Sequence, residues 1–198
     1  MTFFCIKFSI YAIMLWMPLF LSETLHFDNR EIANLLTYYE LATLFGTSSL
    51  GPLTDFCYGK RTPVAAVSLI FASIVAFILT FKYDELSEGG LTFAMICLGF
   101  FLGSIYHMIN VTCCADLGKE QHGKSATATI AGIVDGCGSL GTGTGMLILG
   151  IFIDNWGYRY GFLMIVSIMI SCTLIPLSFI LKRDLAEIQQ LRAAARGD

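Results

Sequence analysis

The sequence predicts an all-α, multi-pass membrane protein built as a bundle of six transmembrane helices. Six apolar stretches divide the chain, the first broken by a lysine, and only short polar loops separate them. The hydrocarbon core of a bilayer is about 30 Å thick and needs about 20 helical residues to span it. Hydrophobic residues make up 56% of the chain and charged residues 14%, against roughly 25% charged residues in soluble domains. We therefore expect the chain to lie in the lipid bilayer.

The six helices follow from these stretches and the polar residues between them. They are expected at Thr2–Leu21, Asn29–Asp55, Pro63–Lys82, Leu91–Cys114, Ser125–Ile153 and Tyr158–Lys182. Asp28 is placed to cap the second helix, because its side chain can accept a hydrogen bond from the first turn. Residues 1–182 then form one transmembrane domain and residues 183–198 a cytosolic tail. The apolar spacing in this tail fits a surface helix and a frayed segment equally.

The positions of Lys and Arg predict that both termini are cytosolic. An even number of spans places the two termini on one face, together with the second–third and fourth–fifth loops. This face collects most of the cations: Lys60, Arg61, Lys119, Lys124, Lys182, Arg183, Arg192 and Arg196. The net charge of −3 gives no indication of a nucleic-acid partner. Because the cysteines and histidines form no metal-ligand pattern, we expect no metal or cofactor.

Four ionisable residues lie inside the predicted spans: Lys7, Glu40, His107 and Asp135. A charge left at mid-membrane is unfavourable by at least about 2.5–3.5 kcal/mol, so these groups need partners or a wet cavity. One lysine and two carboxylates can offset one another. Lys7 shares a helix face with Tyr11 and either forms such an ion pair or extends to the cytosolic interface. His107 is interpreted as a neutral core histidine.

Two helices carry patterns of polar or small residues. On the second helix, Glu40 belongs to a stripe that should face the bundle interior or a pore: Thr37, Glu40, Thr43, Thr47, Gly51 and Thr54. We expect the threonines to donate hydrogen bonds between helices. The fifth helix is rich in glycine, with GxxxG spacings at 132/136 and 141/145, which favours close helix packing.

The loop after the second helix predicts a hinge with a charge pair. It contains Gly51, Asp55, Gly59, Lys60 and Arg61. The aspartate at the helix end can pair with the cations of the same loop or cap a neighbouring helix. Closing and breaking such a pair can shift a two-state equilibrium, so this segment is our candidate gating loop.

These motifs resemble a known family. The loop from Gly51 to Arg61 is similar to the loop motif of the major facilitator superfamily, with one extra residue before Gly59 and Phe56 in place of the usual arginine. Three further segments resemble its sugar-phosphate/phosphate exchangers, which include the glucose-6-phosphate translocase: Lys7…Trp16-Met17-Pro18, Ala115–Gly118 and Ile133–Gly141. The resemblance runs from about Phe3 to Arg183 and covers spans seven to twelve.

The resemblance implies half of a major facilitator fold, arranged as a 3+3 inverted repeat. It also implies an antiporter, with no enzymatic activity, that exchanges a sugar or glycerol phosphate for inorganic phosphate by alternating access. Lys7, Glu40 and Asp135 match ionisable positions of the family, and Tyr11 joins them as a candidate substrate-binding or coupling residue. The implied location is an internal membrane such as the endoplasmic reticulum.

Several alternatives stay open at this point. A second six-helix half, either the chain's own copy or an N-terminal half, is the expected protein partner beside the bilayer, the phosphorylated substrate and phosphate. The chain could be a fragment, an assembling half or an inactive half. Other readings are a facilitator-type transporter of another solute, or a structural membrane subunit that transports nothing. Uptake of labelled phosphate compared with neutral sugars separates the two transport readings.

Overall fold

The computed structural model describes residues 2–56, 60–108 and 124–194, and their backbone is helical apart from short connections. The side chains of residues 55–56, 124–127 and 191–194 are outside this description. Gly59, the segment Ala115–Gly118 and the expected end of the fourth helix at Cys114 also lie outside it. Within the described ranges no strand occurs, which agrees with the all-α prediction.

Helical segments follow one another along the chain with few breaks. They are α1 Thr2–Thr24, α2 Asn29–Phe56, α3 Thr62–Lys82, α4 Glu88–Leu98, a π-helical segment Gly99–Gly103, α5 Ser104–His107, α6 Lys124–Gly157, a second π-helical segment Tyr158–Met164, α7 Ile165–Cys172 and α8 Leu174–Ala194. The first π-helical segment joins α4 to α5, so that Glu88–His107 forms one continuous stretch of 20 residues.

Four described stretches are long and apolar enough to cross a membrane: Thr2–Thr24, Thr62–Lys82, Glu88–His107 and Ala128–Gln190. The last stretch is 63 residues long and includes Gly157, whose φ of 71° ends α6. α2 is long enough but less apolar, because its polar stripe lowers its hydropathy. A multi-pass membrane protein is therefore confirmed, while the count of six spans and the 3+3 repeat stay predictions.

The second helix begins where the sequence predicted, whereas the last helix extends beyond its expected end. α2 begins after Asp28, whose carbonyl accepts from the Ile32 amide at 3.1 Å while its amide donates to the Glu31 carboxylate at 2.9 Å. The first bond is the ordinary start of the helix, and the bond from the Asp28 amide to the Glu31 side chain is one half of a capping box. At the other end of the chain, α8 continues past Lys182 to Ala194, and Asp184 and Ile188 are buried. Much of the expected tail is thus helical and packed.

The core lies where α1 meets the other helices. α1 packs against α6 and α7, and α3 packs against α7 and α8. Fully buried side chains fill the space between them, including Ile6, Ile13, Met17, Leu69, Met95, Leu98, Leu102 and Phe162. α2 lies against the π-helical segment Gly99–Gly103 at backbone distance, because a Cβ added at Gly99 would overlap the Tyr39 carbonyl.

The glycines of α6 divide into two sets. Gly138, Gly141 and Gly145 face α1, where an added Cβ would overlap or crowd Lys7, Phe4 and Phe8 respectively. The 141/145 spacing therefore provides the close packing that the sequence predicted. By contrast, Gly132 and Gly136 have open space around the position of a Cβ. Their GxxxG spacing has no helix against it among the described residues.

Candidate functional site

Lys7 of α1 and Asp135 of α6 form an ion pair inside the helix bundle. The Lys7 Nζ lies 2.6 Å from Asp135 Oδ1, 3.2 Å from the Asp135 carbonyl oxygen and 2.8 Å from Ser139 Oγ. The lysine side chain is 4% exposed and the aspartate side chain 50% exposed. We call Lys7, Asp135 and Ser139 the lysine site. Because an ammonium group carries three N–H donors, every donor of Lys7 has an acceptor there.

Side chains of α1 and a glycine of α6 shape the path of the lysine. The Lys7 Nζ lies 5.8 Å from the ring centroid of Phe3 and 5.9 Å from that of Tyr11, within cation–π range. A Cβ built on Gly138 would lie 2.7 Å from Lys7 Cδ and 3.0 Å from the Phe3 ring. The absence of a side chain at Gly138 therefore leaves the space through which the lysine reaches the aspartate.

A cavity of about 160 Å³ lies next to the lysine site. α1, α2 and the Gly99–His107 stretch line it with Ile10, Tyr11, Met14, Tyr39, Glu40, Thr43, Gly103, Tyr106 and His107. The Phe3 ring stacks on the Tyr106 ring at 5.5 Å between centroids, so it connects the cavity wall to the lysine site. Tyr11 belongs to both places, since it lines the cavity and flanks the Lys7 ammonium.

Glu40 and Lys7 do not meet, although the sequence suggested that they would. Glu40 is exposed on α2 and lines the cavity, and no described residue donates a hydrogen bond to its carboxylate. Lys7 has its three donors occupied by α6 instead. The structure thus brings together Lys7 and Asp135, places Tyr11 beside them, and leaves Glu40 on the far wall of the cavity.

Most of the α2 threonines bond their own helix rather than a neighbour. Thr43 is the exception among the described ones, because it is buried and its hydroxyl lies 3.1 Å from the Gly99 carbonyl as well as near its own helix. Thr37, Thr47 and Thr54 donate to carbonyls three or four residues earlier. The expected interhelical bonding is correct for Thr43 alone, since a hydroxyl can satisfy its proton within one turn.

His107 is exposed at the edge of the cavity, so its assignment as a core histidine was wrong. Its ring contacts the Tyr106 ring at 5.1 Å between centroids. The sequence placed it deep in a span because the apolar run continues well beyond it. The structure places it instead where a ligand in the cavity would contact it.

The candidate gating loop is connected to α8. Lys60 forms a short hydrogen bond with Glu187 and lies 4.0 Å from Asp184. The hydrogen bond to Glu187 raises the pKa of the Lys60 ammonium, and it outweighs the opposing effect of partial burial. Arg61 stands at the N-cap of α3, and Gly51 is exposed on α2. Asp55 lies in α2 with its side chain outside the description, and Gly59 lies outside it entirely.

A second polar cluster lies at the end of the bundle opposite the candidate gating loop. It links the end of α1, the connection after α3 and the start of the second π-helical segment. Arg159 donates to Asp84 at 2.6 Å and lies 4.8 Å from the ring centroid of Tyr83. Tyr158 donates to Glu23 at 2.9 Å. Their pairing fixes the three segments to one another, far from the lysine site.

Sequence reasoning missed three residues of the site: Gly138, Ser139 and Tyr106. The first two stood within the segment Ile133–Gly141 that carried the family resemblance, but no role was assigned to either. Ser139 lies one helical turn after Asp135, so both side chains face the same way on α6. That spacing was the available signal, and it becomes informative once Asp135 is taken as a partner of Lys7.

Comparisons with known proteins agree with these observations. The family model of the Major Facilitator Superfamily matches residues 1–196. Sugar phosphate exchanger 3 from Homo sapiens is 30% identical over 193 residues, which is 96% of this chain and 38% of that protein. Glucose-6-phosphate exchanger SLC37A2 from Mus musculus is 27% identical over 186 residues, covering 91% of this chain and 36% of that protein.

The chain thus spans less than two fifths of the length of the curated relatives it matches. No solved structure matches it significantly. Nearly the whole chain agrees with one family model, and its described helices are long and apolar enough for a membrane. The chain therefore belongs to the Major Facilitator Superfamily of membrane transporters.

Proposed function

We propose that the chain forms one half of an antiporter that exchanges an organic phosphate, such as a sugar or glycerol phosphate, for inorganic phosphate. The observation that carries this proposal is the buried Lys7 ammonium held by Asp135 and Ser139. The names of the relatives, a sugar phosphate exchanger and a glucose-6-phosphate exchanger, support the same substrate class. The activity is transport, and no bond is made or broken.

The chemistry of the lysine site suits a phosphate dianion. An ammonium donates charge-assisted hydrogen bonds to phosphate oxygens, which are stronger than bonds to neutral acceptors. Asp135 neutralises Lys7 while the site is empty, and phosphate would compete with this carboxylate for the same donors. Because the aspartate is half-exposed, a ligand can approach the pair from its side.

The neighbouring cavity supplies a place for the organic part of the substrate. Tyr11 and Tyr106 offer ring faces, and Glu40 and His107 offer polar groups for hydroxyls. With a volume of about 160 Å³, the cavity accommodates a small polyol in contact with the lysine site. Glu40 in this scheme binds substrate, rather than holding Lys7.

Transport itself requires two halves that rock about a midplane site. We assign this chain six spans in a 3+3 inverted repeat, with a second six-helix half completing the pathway. The loop residues Gly51, Asp55, Gly59, Lys60 and Arg61 form the gate, and the Lys60–Glu187 bond holds that loop to α8 in the observed state. Both termini face the cytosol, and the membrane is an internal one such as the endoplasmic reticulum.

The test is exchange in proteoliposomes that contain the chain together with the half that completes it. Vesicles loaded with phosphate are supplied with labelled glucose 6-phosphate or glycerol 3-phosphate. Lys7→Gln should abolish exchange, because glutamine keeps a polar side chain but supplies no charge. Lys82→Gln is the matched control, since that lysine pairs with Glu85 on an exposed surface and should leave exchange unchanged.

Two results would contradict the proposal. Unchanged exchange in Lys7→Gln would remove the lysine site from the mechanism. Uptake of neutral sugars without any requirement for phosphate would favour a facilitator for another solute. Native mass measurement in mild detergent identifies the second half, and a stable monomer without transport would support a structural subunit.

A further inference from the structure

Ser139 is the one described hydroxyl in contact with the Lys7 ammonium. We propose that Ser139 is a positioning residue that sets the affinity of this lysine for phosphate by holding it in the empty site. This inference rests on the proposed function, because it assumes that phosphate competes for Lys7. It adds a role for a side chain that would itself make no contact with the substrate.

The geometry gives Ser139 a fixed acceptor direction. Its own proton is donated to the Asp135 carbonyl at 2.9 Å, one turn earlier on α6. The oxygen lone pairs that remain face the Lys7 Nζ at 2.8 Å. Because the Asp135 carbonyl also lies 3.2 Å from that Nζ, the lysine is held by one turn of helix rather than by a single carboxylate.

This arrangement stabilises the empty site but not the loaded one. When phosphate takes the donors of Lys7, the bond to Ser139 is broken and its hydroxyl oxygen loses a charged partner. Hydrogen bonds to charged groups contribute more than neutral ones, so the serine opposes phosphate binding. Removing the hydroxyl should therefore tighten binding of phosphate by about threefold to tenfold.

The experiment compares variants of the chain, purified in mild detergent together with the half that completes it, with inorganic phosphate as the probe in calorimetric titrations. Ser139→Ala should bind phosphate about three- to tenfold more tightly than wild type. Ser139→Thr keeps the hydroxyl on an exposed position of α6 and should restore wild-type affinity. Thr144→Ala removes an equivalent bond, from a hydroxyl to the Leu140 carbonyl at 2.8 Å, at a residue that makes no hydrogen bond to Lys7, and should change nothing.

A second measurement reads the position of the lysine without any phosphate. Reductive methylation of Lys7, followed by mass spectrometry of its peptide, should proceed severalfold faster in Ser139→Ala than in wild type. The lysine side chain is 4% exposed in the intact site, so labelling of its ammonium group depends on release from α6. The rates in Ser139→Thr and Thr144→Ala should match wild type.

The outcomes separate the two proposals. A wild-type complex of the two halves that binds no phosphate would overturn the proposed function and, with it, the effect on affinity assigned to Ser139. Wild-type binding that Ser139→Ala leaves unchanged or weakens would overturn this inference alone. Labelling of Lys7 at equal rates in Ser139→Ala and wild type would show that the serine does not hold the lysine, whatever phosphate does.

Discussion

Replacing Asp135 with asparagine should destabilise the chain more than replacing Lys7 with methionine. The two members of the ion pair differ in burial, since the lysine side chain is 4% exposed and the aspartate side chain 50% exposed. Asp135→Asn leaves a charge in a buried position, whereas Lys7→Met leaves a carboxylate that is half-exposed. Methionine also retains the contacts of the lysine stem with neighbouring side chains.

The magnitudes follow from the environment of each group. Breaking a fully buried ion pair by removing one partner costs about 3–5 kcal/mol, and exposed pairs contribute up to about 1 kcal/mol. After Asp135→Asn, Ser139 and the backbone carbonyl still accept from the ammonium, so we expect a loss of about 2 kcal/mol. For Lys7→Met we expect less than about 1 kcal/mol, because the remaining carboxylate is half-exposed.

The assay is titration of the purified chain from mild detergent into sodium dodecyl sulfate. Fluorescence of Trp16, which packs near Gly150 at the interface of α1 and α6, reports the loss of tertiary packing. The double variant should be more stable than Asp135→Asn alone, since no unpaired charge remains. The difference between the double variant and the sum of the single ones gives the interaction energy, expected at about 1–2 kcal/mol.

The reasoning would be refuted by either of two results. Equal losses in the two single variants would show that burial does not decide the energy of the pair. Additive losses in the double variant would show that Lys7 and Asp135 do not interact in the folded chain. Circular dichroism of each variant before titration verifies that its helix content matches wild type.

Two glycine substitutions test the close contacts between helices. Gly138→Ala should displace the lysine from Asp135 and Ser139 and speed reductive methylation of Lys7 at least severalfold, whereas Gly143→Ala, with open space around its Cβ, should be labelled like wild type; equal rates would remove the proposed role of Gly138 as a passage for the lysine. Gly99→Ala should destabilise the chain by roughly 1–3 kcal/mol, because its Cβ would meet the Tyr39 backbone, while Gly89→Ala has open space and serves as the control. Unfolding midpoints that coincide for these two variants would contradict the backbone contact.

The ionised partners at the site could be predicted from the sequence because the bilayer makes unpaired charges unfavourable. Lys7 and Asp135 were recognisable as residues that need partners, and the structure pairs them. The sequence did not predict which residue pairs with a given charge. Glu40 was an equally good candidate for Lys7 by composition, and it lies instead on the wall of the cavity. Only the rotation of each helix about its axis decides between two such carboxylates, and sequence spacing does not fix that rotation.

The sequence predicted that helices pack closely at glycines, but it did not predict which glycines make the contacts. The glycine pattern of α6 indicated a packed face, yet Gly145 meets α1 while Gly136 has open space. The two π-helical segments gave no signal, because one extra residue in a turn leaves the apolar pattern nearly unchanged. α2 was harder to identify as a membrane span, because its polar face makes the helix less apolar overall.

The charges at the site limit which second half can complete the proposed exchanger. Lys7 is the one cation that the described residues place at the lysine site or the cavity, against the carboxylates of Asp135 and Glu40. Among the described residues there, the carboxylates therefore outnumber the cations by one before a phosphate dianion arrives. A second copy of the chain would add the same excess and leave the dianion without enough cations. The proposed exchange accordingly requires a different half, one that brings intramembrane lysines or arginines not balanced by its own carboxylates.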